Sequence, residues 1–391
     1  MTRRYYLDNL RWAAILLLFP FHTAMIYNDY GENFYVRGPS IPAVTAFILA
    51  TYSWFMPLLF VLAGISASLA LEKRTPKEFA SERLRKLLVP FISGVLLLIP
   101  VQTYFAERFH NGYTGGYFQQ YLLFFTKQTD LTGYTGGFTP GHLWFLLYLF
   151  VISLLALPIL LWYRNSGHKL HAEKLTVPVL TALFLIPLIL APLSVGGKSV
   201  GEDFALFLLG FFILREERVI DRLETNRRAL LAAGIVLTAV GMGFHYHHIF
   251  TSGIVADVYQ RLTGWVCILA IVGMAKRHFN FQNRSTTYLS KACFPIYVIH
   301  QTALITVAYC VFQVTSTPAV QIPLILAFSV ALTFAAYELF RRIPPLRFLF
   351  DIKNRWNKPL MPISQFNGMK LISILNLRLR LINKKGTCLS S

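Results

Sequence analysis

Charge is scarce in this chain. Charged residues make up 14% of its 391 positions, where ordinary soluble domains carry about 25%. Negative charge is scarcer still, with 18 Asp and Glu against 37 Lys and Arg. None of those acids falls near the middle of an apolar run; Glu202, Asp203, Asp257 and Glu338 stand near the ends of runs. Carboxylates inside a membrane commonly serve proton or ion relays, so this lack argues against a cation-coupled transporter but leaves a facilitator open. Cysteine is rare too. Cys267, Cys293, Cys310 and Cys388 show no CxxC spacing, so neither a disulfide framework nor a zinc site is expected, and no metal ligands are assigned.

Apolar sequence is abundant: 55% of residues are hydrophobic and the mean hydropathy is +0.51. Ten apolar runs lie at roughly 9–28, 42–71, 87–105, 142–163, 175–193, 202–214, 229–250, 258–275, 290–313 and 320–340. Most are near the length needed to cross a hydrocarbon core of about 30 Å; the sixth is short. The expected fold class is all-α, a polytopic helical bundle of about ten transmembrane helices in a lipid bilayer. Basic residues concentrate at the N-terminus and after every second run. The opposite loops hold only Arg37, Arg108, Lys127, Lys198 and Arg261. Cytoplasmic loops carry the Lys/Arg excess, so both termini are expected in the cytoplasm and the protein in the cytoplasmic (plasma) membrane. The net charge of +19 then reflects topology, and no nucleic acid partner is expected. The first run is too long for a signal-peptide core and lacks a small-residue cleavage site, so no cleavable signal is expected. Residues 1–345 are read as the membrane domain and 346–391 as a basic cytoplasmic tail. Its stretch "KLISILNLRLRLINKK" is either an amphipathic segment for an anionic inner leaflet or an end without function.

Ionisable groups inside spans are expensive and draw attention by default. The stretch "RWAAILLLFPFH" begins with Arg11 and ends with His22. Eleven helical steps place the two on one face, about 16 Å apart. Pro20 removes a backbone donor and favours a bend, and Asp8 stands three residues from Arg11, within pairing distance. In "SKACFPIYVIHQ", Ser290 can cap the helix start, Pro295 can bend it, and His300 falls about 15 Å deep. "TPGHLWFLLYLF" puts His142 and Trp144 at the outer boundary, and "SERLRKLLVPF" puts Arg83, Arg85 and Lys86 at the inner one. Each has a plain alternative: Arg11 as a snorkelling anchor, the histidines as interhelical hydrogen bonders, the basic patch as positive-inside topology. The longest outer loop, about 106–141, contains two GYTGG stretches and the segment "YFQQYLLFF", a candidate interfacial helix. Its glycines and tyrosines suit either a sugar-contacting surface or a loop with interfacial tyrosines.

Taken together, "YYLDNLRWAAILLLFPFHTAMIY", "GHLWFLLYLF" and "FPIYVIHQ" resemble the membrane acyltransferase 3 family, ten-span proteins that acylate carbohydrates; the opening is most similar to its glucan succinyltransferase branch. The resemblance spans roughly residues 3–345. It implies that Arg11 and His22 are an essential pair and that acyl-CoA, a donor substrate rather than a bound cofactor, enters from the cytoplasm. The family's Arg-x-x-Arg pattern ends here in lysine, at Lys86, which keeps the charge but loses the bidentate fork. In the reaction so implied, His22 is the base that deprotonates an acceptor hydroxyl on an extracytoplasmic glycan. Arg11 holds donor phosphates or a donor carboxylate, and Arg83, Arg85 and Lys86 hold further phosphates. His300 or Tyr297 orients His22 or donates to the oxyanion, and His142 faces the acceptor. Acetyl and succinyl donors both stay open, and a polytopic facilitator of a glycan or lipid-linked sugar is the alternative.

Overall fold

The computed structural model describes residues 4–30, 33–129, 131–167, 170–249 and 252–352. It is a bundle of helices: α1 Tyr5–Met25, α2 Pro42–Leu71, α3 Pro76–Arg83, α4 Val89–Leu97, α5 Ile99–Asn111, α6 Tyr117–Thr126, α7 Trp144–Ser166, α8 Val177–Ala182, α9 Leu185–Leu190, α10 Val200–Phe212, α11 Glu217–Thr225, α12 Arg227–Tyr246, α13 Ile254–His278, α14 Arg284–Val314, α15 Pro318–Phe340 and α16 Pro344–Leu349. Among the described residues the only strands are Ser194–Val195 and Lys198–Ser199, an antiparallel pair joined by Gly196 and Gly197. Seven helical stretches are long and apolar enough to cross a membrane; α3 to α5 count as one of these, Pro76–Asn111.

Where helices deviate from the apolar runs, local chemistry gives the reason. The 175–193 run is broken between α8 and α9, because Pro187 lacks the N–H that would reach Leu183 and its ring crowds that carbonyl. α10 has 13 residues, about 20 Å of rise, short of a full crossing. It is held instead by close contact with α2. A Cβ at Gly64 would lie 2.0 Å from the Phe207 carbonyl oxygen, and one at Gly210 would lie 2.2 Å from that of Val61. The two backbones therefore touch, as small residues allow between membrane helices. α14 begins at Arg284, capped by Asn283 and Thr286 in a reciprocal pair, so Ser290, expected to cap it, lies inside the helix. His300 is thereby about 24 Å from the helix start.

The helices differ in what surrounds them. The most apolar window of α14 is 72% buried, that of α12 only 11%, so α14 is core and α12 presents its side chains to lipid. The compact unit runs through Ile352, with Phe350 and Ile352 buried against the main core. The cationic tail stretch lies outside the described residues.

Candidate functional site

The site is built on α1, α14 and the turn before α7. Gly141 adopts φ +51°, and a Cβ there would meet Ile99 at 2.8 Å. This left-handed residue favours glycine and turns the chain so that His142, on a 3-10 turn, enters the bundle. His142 was expected at the outer mouth, facing the acceptor; it is 7% exposed, its Nε2 donating to the Val298 carbonyl at 3.0 Å. That bond fixes the tautomer and leaves Nδ1 to accept from the Gln102 amide at 3.4 Å.

Three imidazoles meet here. His300 is fully buried, its ring centroid 5.0 Å from His142 and 5.4 Å from His22. Its Nδ1 donates to the Tyr297 carbonyl at 2.6 Å, leaving Nε2 as a buried atom with no hydrogen-bond partner. His22 Nδ1 is likewise buried and unpartnered. The His22 ring is stacked against two others, His300 and Phe34. Phe34 lies 5.8 Å away at an interplanar angle of 13°, and its carbonyl is tied to His110 Nε2 at 2.7 Å. A stacked ring has little freedom to rotate, so His22 presents a fixed edge. Unpartnered polar atoms in a buried place are costly, and here two of them belong to neighbouring rings.

Towards the basic end lies a cavity of about 780 Å³. Asp8, Arg11 and Ile15 of α1 line it in turn, with Arg83 and Lys86 across from them. Arg11 bonds Ser66 Oγ at 2.7 Å and Asp8 at 3.3 Å, which holds the guanidinium at the wall. Arg83 and Lys86, three residues apart, share a helix face; Arg85, between them, is not in the lining and lies 59% exposed, 3.9 Å from Asp351. The chain here makes a π turn, Leu84–Leu88, a departure often found at functional sites. Arg83 sits over the Phe79 ring at 4.6 Å and its Nε has no partner. At the inner end the lining becomes apolar, with Leu59, Phe145 and Leu149, and it closes on Tyr297.

Tyr297 joins the two halves. It lines the cavity, its hydroxyl donates to the His142 carbonyl, and its ring is 5.9 Å from that of His300. The structure thus gathers Asp8, Arg11, Arg83 and Lys86 around the cavity and His22, His142 and His300 beyond it, with Tyr297 as the wall between. Sequence reasoning missed Ser66, Phe34, His110 and a buried amide network. In that network Gln102 donates to Thr302 Oγ1 at 2.7 Å and accepts from Gln301 at 3.3 Å. Gln102 had a signal, an amide inside an apolar run; Phe34 had none.

The acyltransferase domain model matches residues 4–338, and the chain belongs to the acyltransferase 3 family: it is a multi-pass membrane acyltransferase. This sets aside the facilitator reading. Among its relatives are the glucans biosynthesis protein C of Salmonella typhi and that of Salmonella typhimurium, each 25% identical over 386 residues, covering 90% of this chain and 95% of the relative. No solved structure matches it.

Proposed function

We propose that this is a ten-span enzyme of the cytoplasmic membrane, with both termini in the cytoplasm, that moves an acetyl- or succinyl-class group from acyl-CoA to a hydroxyl of an extracytoplasmic glycan. The supporting observation is Tyr297, which borders both a basic cavity suited to phosphates and a cluster of imidazoles suited to proton transfer. The relatives' name, glucans biosynthesis protein C, supports the glycan. Donor phosphates sit against Arg83 and Lys86, with Arg11 held in place by Ser66 and Asp8. Arg85, exposed and outside the lining, takes a minor part. The apolar inner end receives the thioester.

His22 takes the proton of the acceptor hydroxyl as its oxygen bonds to the thioester carbon. The tetrahedral intermediate then expels the CoA sulfur, which recovers the proton from His22. Atoms and charge balance without a metal or resident cofactor. His300, its ring stacked 5.4 Å from that of His22, limits the movement of the base and holds it in its reactive orientation. Tyr297, whose hydroxyl is engaged with the His142 carbonyl, positions the cluster, and His142 anchors it to α14.

The test is His22→Gln in vesicles given labelled acyl-CoA and a glucan acceptor. General acid–base catalysis contributes about 10² to 10⁴ in rate, so transfer should fall by at least about a hundredfold with the protein still folded. Transfer at the wild-type rate ends the proposed role.

A further inference from the structure

At the end of the bundle opposite the basic cavity, α5, α6 and α14 bring together a second group of side chains. Arg108 donates from Nη1 to the Tyr104 hydroxyl at 2.7 Å and from Nε to the Tyr309 hydroxyl at 3.2 Å. Among the described residues no carboxylate pairs with it, in contrast to Lys127, which bonds Glu107 at 2.8 Å. Both phenol oxygens accept from the guanidinium, so their O–H hydrogens are left to donate outward. Around Tyr104 stand Tyr117 at 5.7 Å and Tyr113 at 6.3 Å, both nearly perpendicular to it. All of these tyrosines are only partly buried.

We propose that this group is a saccharide-binding subsite, which holds a glycan chain while one of its units reaches the imidazoles. Flat aromatic faces and a planar multi-donor cation are a combination that suits a ring with apolar C–H faces and equatorial hydroxyls. The inference rests on the glycan reading above and extends it to a place. Two continuities support it. Arg108 lies six residues beyond Gln102, the amide that contacts His142, about 9 Å along the same helix. Tyr309 lies nine residues beyond His300, about 13 Å along α14. The subsite is therefore the outward continuation of the two helices that carry the cluster.

Lipid is the competing occupant, and the structure gives it a different face. Phe118, Leu122 and Phe125 are 85%, 67% and 46% exposed and form one stripe of α6. Tyr117 is turned about 100° from Phe118. The subsite is also firmly framed: the Gln120 amide reaches Thr103 at 3.3 Å and the Gly136 carbonyl at 3.0 Å, which pins α6 to α5 and to the loop.

The test compares a glucan oligosaccharide with a single methyl glucoside as acceptor for wild type, Tyr117→Ala and Arg108→Ala in vesicles of fixed composition. Each variant should raise KM for the oligosaccharide about tenfold with kcat nearly unchanged, the mark of lost uniform binding. The small acceptor and the KM for acyl-CoA should be unaltered, and Tyr117→Trp should restore most of the affinity. Titration of the oligosaccharide into His22→Gln and His22→Gln/Arg108→Ala reads binding without chemistry, and binding should weaken by a similar factor. Unchanged KM in both variants, or equal losses on both acceptors, overturns the subsite. So does recovery of the variants by more anionic lipid, which makes the group a lipid anchor. If wild type acylates neither acceptor while still consuming acyl-CoA, the glycan reading itself fails.

Discussion

The two halves of the site are built on opposite terms. Around the basic cavity several charges have a partner, Arg83 being the exception: Arg74 and Lys86 share Glu82, Arg11 has Asp8 and Ser66, and Arg4 pairs with Glu217 at 2.8 Å. Around the three imidazoles no ion pair forms among the described residues, and two ring nitrogens are left without any bond. A mouth made of paired, half-exposed charges can exchange partners with a polyanion at little cost, because each exposed pair is worth roughly 0–1 kcal/mol. A cluster in which His142 and His300 are buried cannot make such exchanges cheaply. In the proposed reaction, recognition is thus spread over several replaceable groups and chemistry is concentrated on one.

That contrast is broken most severely at His22. His22→Gln keeps the volume but not the base, and transfer should drop by about 10² or more, measured as label on glycan. Next comes Arg11→Lys. An ammonium cannot reproduce the fork between Asp8 and Ser66, so kcat/KM should fall roughly 10- to 100-fold, mostly through KM for acyl-CoA if the role is binding; unchanged kinetics would return Arg11 to a simple anchor. Phe34→Ala removes one of the rings stacked on His22. An aromatic pair is worth about 0.5–1.5 kcal/mol, so kcat should fall several-fold while donor KM stays put. Smallest is the pair Lys86→Ala and Arg85→Ala, measured as donor KM. The first should raise it a few-fold and the second should leave it within about twofold, as expected of a surface charge. Equal effects would mean that the cavity lining is not the donor's path.

Much of the bundle could be read in advance because one signal, a long apolar run, fixes a helix in a bilayer. The run at 42–71 coincides with α2. Runs misled where boundaries depended on local signals: the 175–193 run is split between α8 and α9, and α3 to α5 begin well before 87 because the capping box at Thr75 starts the helix earlier. At the site, Arg11 and His22 were legible from spacing within one helix. His142 was placed at the boundary because its inward turn depends on the backbone of Gly141, and the Phe34 stack depends on the loop after α1 folding back over His22 of that same helix. Side-chain period carries no information of that kind.

Tyr297 lies against His300 and Phe34 is stacked on His22, so each of these imidazoles has an aromatic ring beside it like the leaf of a door. A membrane that stores energy as an ion gradient cannot tolerate an open water file through its enzymes. In the proposed reaction, whose reactants come from opposite compartments, two such rings would let donor and acceptor meet without a continuous conduit, and the idle protein would cost the cell no leak.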